Sequence, residues 1–149
     1  MSPQERNALV SLLCNLLVNG YVIWQWRALA AAGALDGPDA LMVWARMILW
    51  AMAGAVVLTV VLTVLISIAA GIVTRERVSP VLADERDEMF GIRAMGMTMF
   101  IAVVGFIGAI VALAAGWSAL SAFLIIYFAF ALGSLAGDLV KLASYRAGG

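Results

Sequence analysis

The sequence predicts an all-α integral membrane protein, a four-helix transmembrane bundle with antiparallel neighbours. Three observations carry this. Of the 149 residues, 65% are hydrophobic and only 12% are charged. A soluble domain is about half apolar and about a quarter charged, so a water-facing shell cannot be built here. Mean hydropathy is +1.07. Finally, the apolar residues fall into four long runs, each near the roughly 20 residues that span a bilayer as a helix. The short alternating segments of a membrane barrel are absent from these runs.

The first run extends from about Ala8 to Trp26. The preceding residues balance Glu5 against Arg6, and the run carries Asn15, Asn19, Trp24 and Gln25. These features fit a retained span better than a cleaved signal segment, although the alanines from Ala28 to Ala34 are of the small type found at cleavage sites. Gly33, Asp36, Gly37 and Pro38 mark the turn that follows, and Asp39 stands where the second helix needs an N-cap. The second run, about Leu41 to Val73, is roughly 50 Å long at helical rise, so it must tilt or project. Pro80 disfavours helix at Ser79 and ends it.

Residues 75–93 form a polar loop, RERVSPVLADERDEMFGIR, whose later part extends the third helix. Asp84 and Asp87 resemble a capping box, and Glu85 and Glu88 put negative charge at the positive end of the helix dipole. The third span covers about Ala94 to Ala115 and the fourth about Ala119 to Ala143. Only Gly116, Trp117 and Ser118 separate them, which makes an antiparallel hairpin.

Charge sets the orientation. Arg6, Arg75, Arg77, Arg86, Arg93, Lys141 and Arg146 fall on one side, and only Arg27 and Arg46 on the other. The basic side faces the cytoplasm, placing both termini there. Trp24, Trp26, Trp44, Trp50 and Trp117 all fall towards the opposite interface. The expected location is the inner, cytoplasmic membrane.

Polar residues within the spans are the candidates for function. Ser11, Asn15 and Asn19 recur every four residues on the first helix, and Thr59, Thr63 and Ser67 do so on the second. Counting from the inner ends, Asn19 matches Thr63 in depth and Asn15 matches Ser67. The plain reading is hydrogen bonding between the two helices; the sharper one is a polar cavity for a lipid, quinone or other amphiphile. Ala129, Gly133 and Gly137 form a small-residue ladder on the fourth helix, fit for packing within the chain or for a homodimer. Asp138 is the one acid inside a predicted span; Lys141, three residues on, is its nearest available partner on one helix face, and a proton or ion role is the alternative.

Asp84, Glu85, Arg86, Asp87 and Glu88 are read as helix capping or as a cytoplasmic docking element, with divalent metal a minor alternative because Arg86 lies among the acids. Met95, Met97 and Met99 are gap-fillers rather than copper ligands. With no histidine and with Cys14 as the only cysteine, no disulfide within the chain and no Cys/His metal site can form. No nucleophile is paired with a base and no phosphate-binding loop is present, so no enzyme activity and no cofactor are expected. Net charge is zero, which argues against direct nucleic-acid binding.

The segments MSPQERNALVSLLCNLLVNGYVIW, DERDEMFGIRA and LVKLASYRAGG together resemble an uncharacterised family of small four-span bacterial and archaeal membrane proteins with a DERD-like element before the third span. The resemblance implies the four-span fold and no defined activity. It also implies a transcriptional regulator as a protein partner. The function expected from these observations is a non-enzymatic regulatory or accessory membrane protein, acting through its cytoplasmic loop and as a homodimer. The alternatives are a binder or carrier of a small lipophilic ligand, and a structural subunit of a larger membrane complex.

Overall fold

Four helices make up the fold: α1 (Pro3–Ala31), α2 (Ala40–Thr74), α3 (Glu85–Ala114) and α4 (Ala119–Ala147). The computed structural model describes residues 3–74 and 85–147. Each helix is long and apolar enough to cross a membrane. The chain is therefore a helical bundle of the multi-pass membrane class, as composition and hydropathy predict.

Local chemistry explains where the helices stop. At the end of α1, Gly33 adopts φ 69°. Its N–H donates to Ala30 O, and Ala34 N donates to Leu29 O, both at 3.0 Å. This pair of bonds closes a Schellman motif, which satisfies the last carbonyls and needs a residue at ease with positive φ. The same device ends α3: Gly116 has φ 81°, Gly116 N donates to Leu113 O and Trp117 N to Ala112 O. Helix starts are equally defined. Val43 N bonds Asp39 O, placing Asp39 at the N-cap of α2. Ser118 caps α4, its Oγ accepting from Ser121 N at 3.2 Å.

The helices are not equivalent in packing. α1 lies against both α2 and α4, α3 packs chiefly on α4, and α2 meets α4 only lightly. The resulting order across the bundle is α2, α1, α4, α3. The closest seam is between α3 and α4, and small residues create it. A Cβ on Gly133 would stand 2.8 Å from the Thr98 carbonyl oxygen, and one on Gly105 would overlap the Ala129 methyl. Thr98 Oγ1 spans the seam by donating to Gly133 O at 3.0 Å. The ladder of Ala129, Gly133 and Gly137 is thus filled by α3 of the same chain. A homodimer built on that face would have to displace α3, so of the two readings of the ladder the fold supports packing within the chain.

A second cluster joins α1, α2 and α4. Val22, Trp44, Met47 and Ala51 are buried together, flanked by Trp26, Leu29, Leu120, Leu124 and Tyr127. Trp44, at 3% exposure, is turned into the bundle, whereas Trp24, Trp50 and Trp117 are exposed as lipid-facing rings should be. Beyond Ala51, α2 turns most of its surface outward. Val56, Val57, Val60, Val61, Val64, Leu65 and Ile68 are all exposed, while among the described side chains Ala55, Leu58, Leu62 and Ile66 keep a partly covered face at helical spacing.

Candidate functional site

A polar network crosses from α1 to α4 inside the bundle. Ser11 Oγ donates to Asp138 Oδ1 at 2.8 Å. Asn15 Nδ2 donates to Ser134 Oγ at 2.9 Å and also to Asp138 Oδ2. One turn along, Asn19 Nδ2 donates to the Asn15 carbonyl at 2.8 Å, while Asn19 Oδ1 accepts from the Tyr127 hydroxyl at 2.8 Å. Both sets lie on single helix faces because residues four apart are neighbours on a helix. The Tyr127 ring is held edge-on against Trp44, centroids 5.6 Å apart. Its body thus packs in the apolar cluster while its hydroxyl reaches the amide, the usual division of labour of a buried tyrosine.

The stripe of Ser11, Asn15 and Asn19 therefore faces protein, but its partners come from α4 and not from Thr59, Thr63 and Ser67. The physical reason is that a threonine on a helix can satisfy itself. Thr59 Oγ1 donates to Ala55 O at 2.8 Å on its own helix, whereas an asparagine amide in α1 has more groups than its own backbone can serve. Ser67 is exposed and stands outside the network. Asp138 likewise takes its partners from α1 rather than Lys141. Two neutral donors come to it across the seam, while a lysine near a helix end can extend its amine towards the headgroups.

Beside this network lies a groove of about 460 Å³ between α1, α2 and α4. Its volume is in the range of small-molecule sites. Ser11, Asn15 and Ser134 form its α1–α4 wall, Thr59 and Thr63 its α2 wall, and Val10, Cys14, Val18 and Ala55 its apolar surface. α2 and α4 meet only lightly, which leaves this space open over α1. A second depression of about 350 Å³ shares Val18 and Ala55 with it and is otherwise apolar and aromatic, with Leu17, Tyr21, Trp50 and Leu58. Thr63 Oγ1 has no hydrogen-bond partner among the described residues.

At the end where α3 begins and α4 finishes, Phe90 and Tyr145 meet edge-to-face with centroids 5.3 Å apart. The Tyr145 hydroxyl donates to the Asp87 carboxylate. Nearby in sequence, Arg146 pairs loosely with Glu5 at 3.9 Å. Asp87 thus has a structural partner, and Glu88 is exposed. Asp84 and the side chains of Glu85 and Arg86 lie outside the described residues, so the capping and docking expectations for them stay as expectations.

The sequence reading missed the pairing of Tyr127 with Asn19 and of Ser134 with Asn15. A signal for the second was present: Ser134 and Asp138 share a face of α4 at i, i+4, matching the spacing of Ser11 and Asn15 on α1. Comparison of the chain with protein-family models, curated proteins and solved structures finds no match.

Proposed function

We propose that this chain is a non-enzymatic membrane protein that binds a small amphiphile in the groove between α1, α2 and α4. The observation that carries the reading is the groove itself: hydroxyls and the amides of Asn7 and Asn15, from three helices in all, face a space of about 460 Å³. Most of these groups are bonded within the chain, and Thr63 Oγ1, which has no partner among the described residues, is the one an amphiphile's head group would serve. The neighbouring apolar depression, which meets the groove at Val18 and Ala55, offers room for a chain. The reading includes the inner membrane as location and cytoplasmic termini, both supported by the bias of basic residues. In that orientation the groove lies in the inner leaflet.

The test is retention of amphiphiles by the purified full chain in lipid nanodiscs, read by native mass spectrometry. Replacing Thr59 and Thr63 together by valine alters the α2 wall without touching the α1–α4 network. The expected result is loss of a retained amphiphile with the helical content unchanged. Equal retention by the wild type and the double variant overturns the reading.

A further inference from the structure

The charge of the groove identifies the class of its ligand. The geometry points to a cationic amphiphile, an alkyl ammonium or similarly charged head on an apolar chain, recognised through Asp138. This inference rests on the groove being a binding site and adds what the site selects.

Three observations support it. First, three of the groups lining the groove, Ser11, Asn15 and Ser134, belong to the cluster around Asp138. Two of them bond its oxygens directly, so the carboxylate stands one side chain behind the groove wall. Second, both carboxyl oxygens of Asp138 take part in hydrogen bonds and both donors, Ser11 Oγ and Asn15 Nδ2, are uncharged. Among the described residues no basic side chain comes within ion-pair distance of Asp138. Third, the residues lining the groove include no lysine or arginine. Its wall is therefore polar but carries no positive charge to receive a phosphate or carboxylate head.

Asp138 has no cationic partner among the described residues, and in its ionised form it acts over several ångströms where the dielectric is low. It repels an anionic head and attracts a cationic one. The Asn15 and Ser134 side chains can orient their oxygens towards a cation while Asp138 supplies the net charge behind them. Asparagine and serine oxygens also suit a quaternary or primary ammonium, which needs several weak acceptors rather than one fixed donor. Thr63, on the opposite wall, adds another acceptor oxygen.

The experiment uses decyltrimethylammonium and its uncharged carbon isostere, 2,2-dimethyldodecane. Each is titrated onto the full chain in phosphatidylcholine nanodiscs, with empty nanodiscs subtracted. Wild-type chain should bind the cation about tenfold or more tightly than the isostere. In Asp138→Asn that preference should vanish while isostere binding persists. Thr63→Lys, which leaves the Asp138 network intact, should abolish cation binding and guards against misfolding of the first variant. If wild type binds both probes equally, the charge selection is wrong and the groove reading survives. If Asp138→Asn keeps the preference, Asp138 is not its source and the inference falls. If wild type binds neither probe, the groove reading fails together with this one.

Discussion

Replacing Gly133 by alanine is the sharpest test of how α3 and α4 are joined. The added Cβ would meet the Thr98 carbonyl oxygen at 2.8 Å, with Thr98 Cα and Ile101 Cβ at 3.4 Å. Two of these three atoms are backbone, so no rotamer change can make room and the helices must move apart. Opening such a seam by about 0.5–1 Å forfeits a quarter to a half of the dispersion energy at its contacts. Overpacking of this kind costs about 1–3 kcal/mol. The Thr98–Gly133 hydrogen bond, 3.0 Å long, stretches with it, and an interhelical bond in a membrane is worth about 0.6 kcal/mol. The total is about 1.6–3.6 kcal/mol. Gly20→Ala is the control, since nothing lies within 4 Å of a Cβ there and alanine is the better helix former by up to about 1 kcal/mol. Reversible unfolding of the full chain in mixed micelles, followed by circular dichroism, measures both. Gly133→Ala within about 0.5 kcal/mol of wild type, the ordinary scatter of a substitution without consequence, would refute the close-packed seam.

Further outcomes follow from the same geometry. Tyr127→Phe keeps the edge contact with Trp44 but loses the bond to Asn19, and should cost about 0.6–1.7 kcal/mol in the same unfolding assay. Asn15→Ala and Asp138→Asn act on one network, so a double-mutant cycle should show a coupling of at least about 0.5 kcal/mol; strict additivity would mean the two do not interact. Ser118→Ala removes the cap of α4 and should lower stability by about 1 kcal/mol. With Cys14 replaced by serine, single cysteines at positions 79 and 118 should react with an impermeant maleimide from opposite sides of the membrane. Labelling of both from one side contradicts the proposed topology.

Much of the fold is legible in the residues because lipid imposes simple requirements. Runs of about 20 apolar residues become helices, since no other local structure hides its backbone polar groups. Gly33 and Gly116 mark helix ends because the Schellman turn needs positive φ, and Ser118 marks a start because its hydroxyl can cap. The direction of the asparagine stripe is legible too, as amides avoid hydrocarbon. Its partner is not. Stripes on α2 and α4 both reach the right depth, and depth alone cannot choose between them. What decides is that Thr59 bonds its own helix while Ser134 and Asp138 are drawn to outside donors. That preference depends on which helices touch, and helix adjacency is set by small-residue packing that reads identically for a neighbour or a second copy. The groove is still less legible, because it depends on how three helices meet, a global property.

The reach of the α1–α4 network has a consequence for synthesis. Its bonds join residues separated by 108 to 127 positions. At about 5–20 residues per second, α4 emerges some 6–25 s after the Asn15 turn of α1. Throughout that interval Ser11, Asn15 and Asn19 have no α4 to bond. An early helix carrying two amides is a poor solute in bulk lipid, so it should linger beside the insertion machinery or a membrane chaperone until the last helix arrives. Ribosomes stalled before residue 127 should then leave α1 crosslinkable to that machinery, and release should coincide with the emergence of Tyr127 through Asp138.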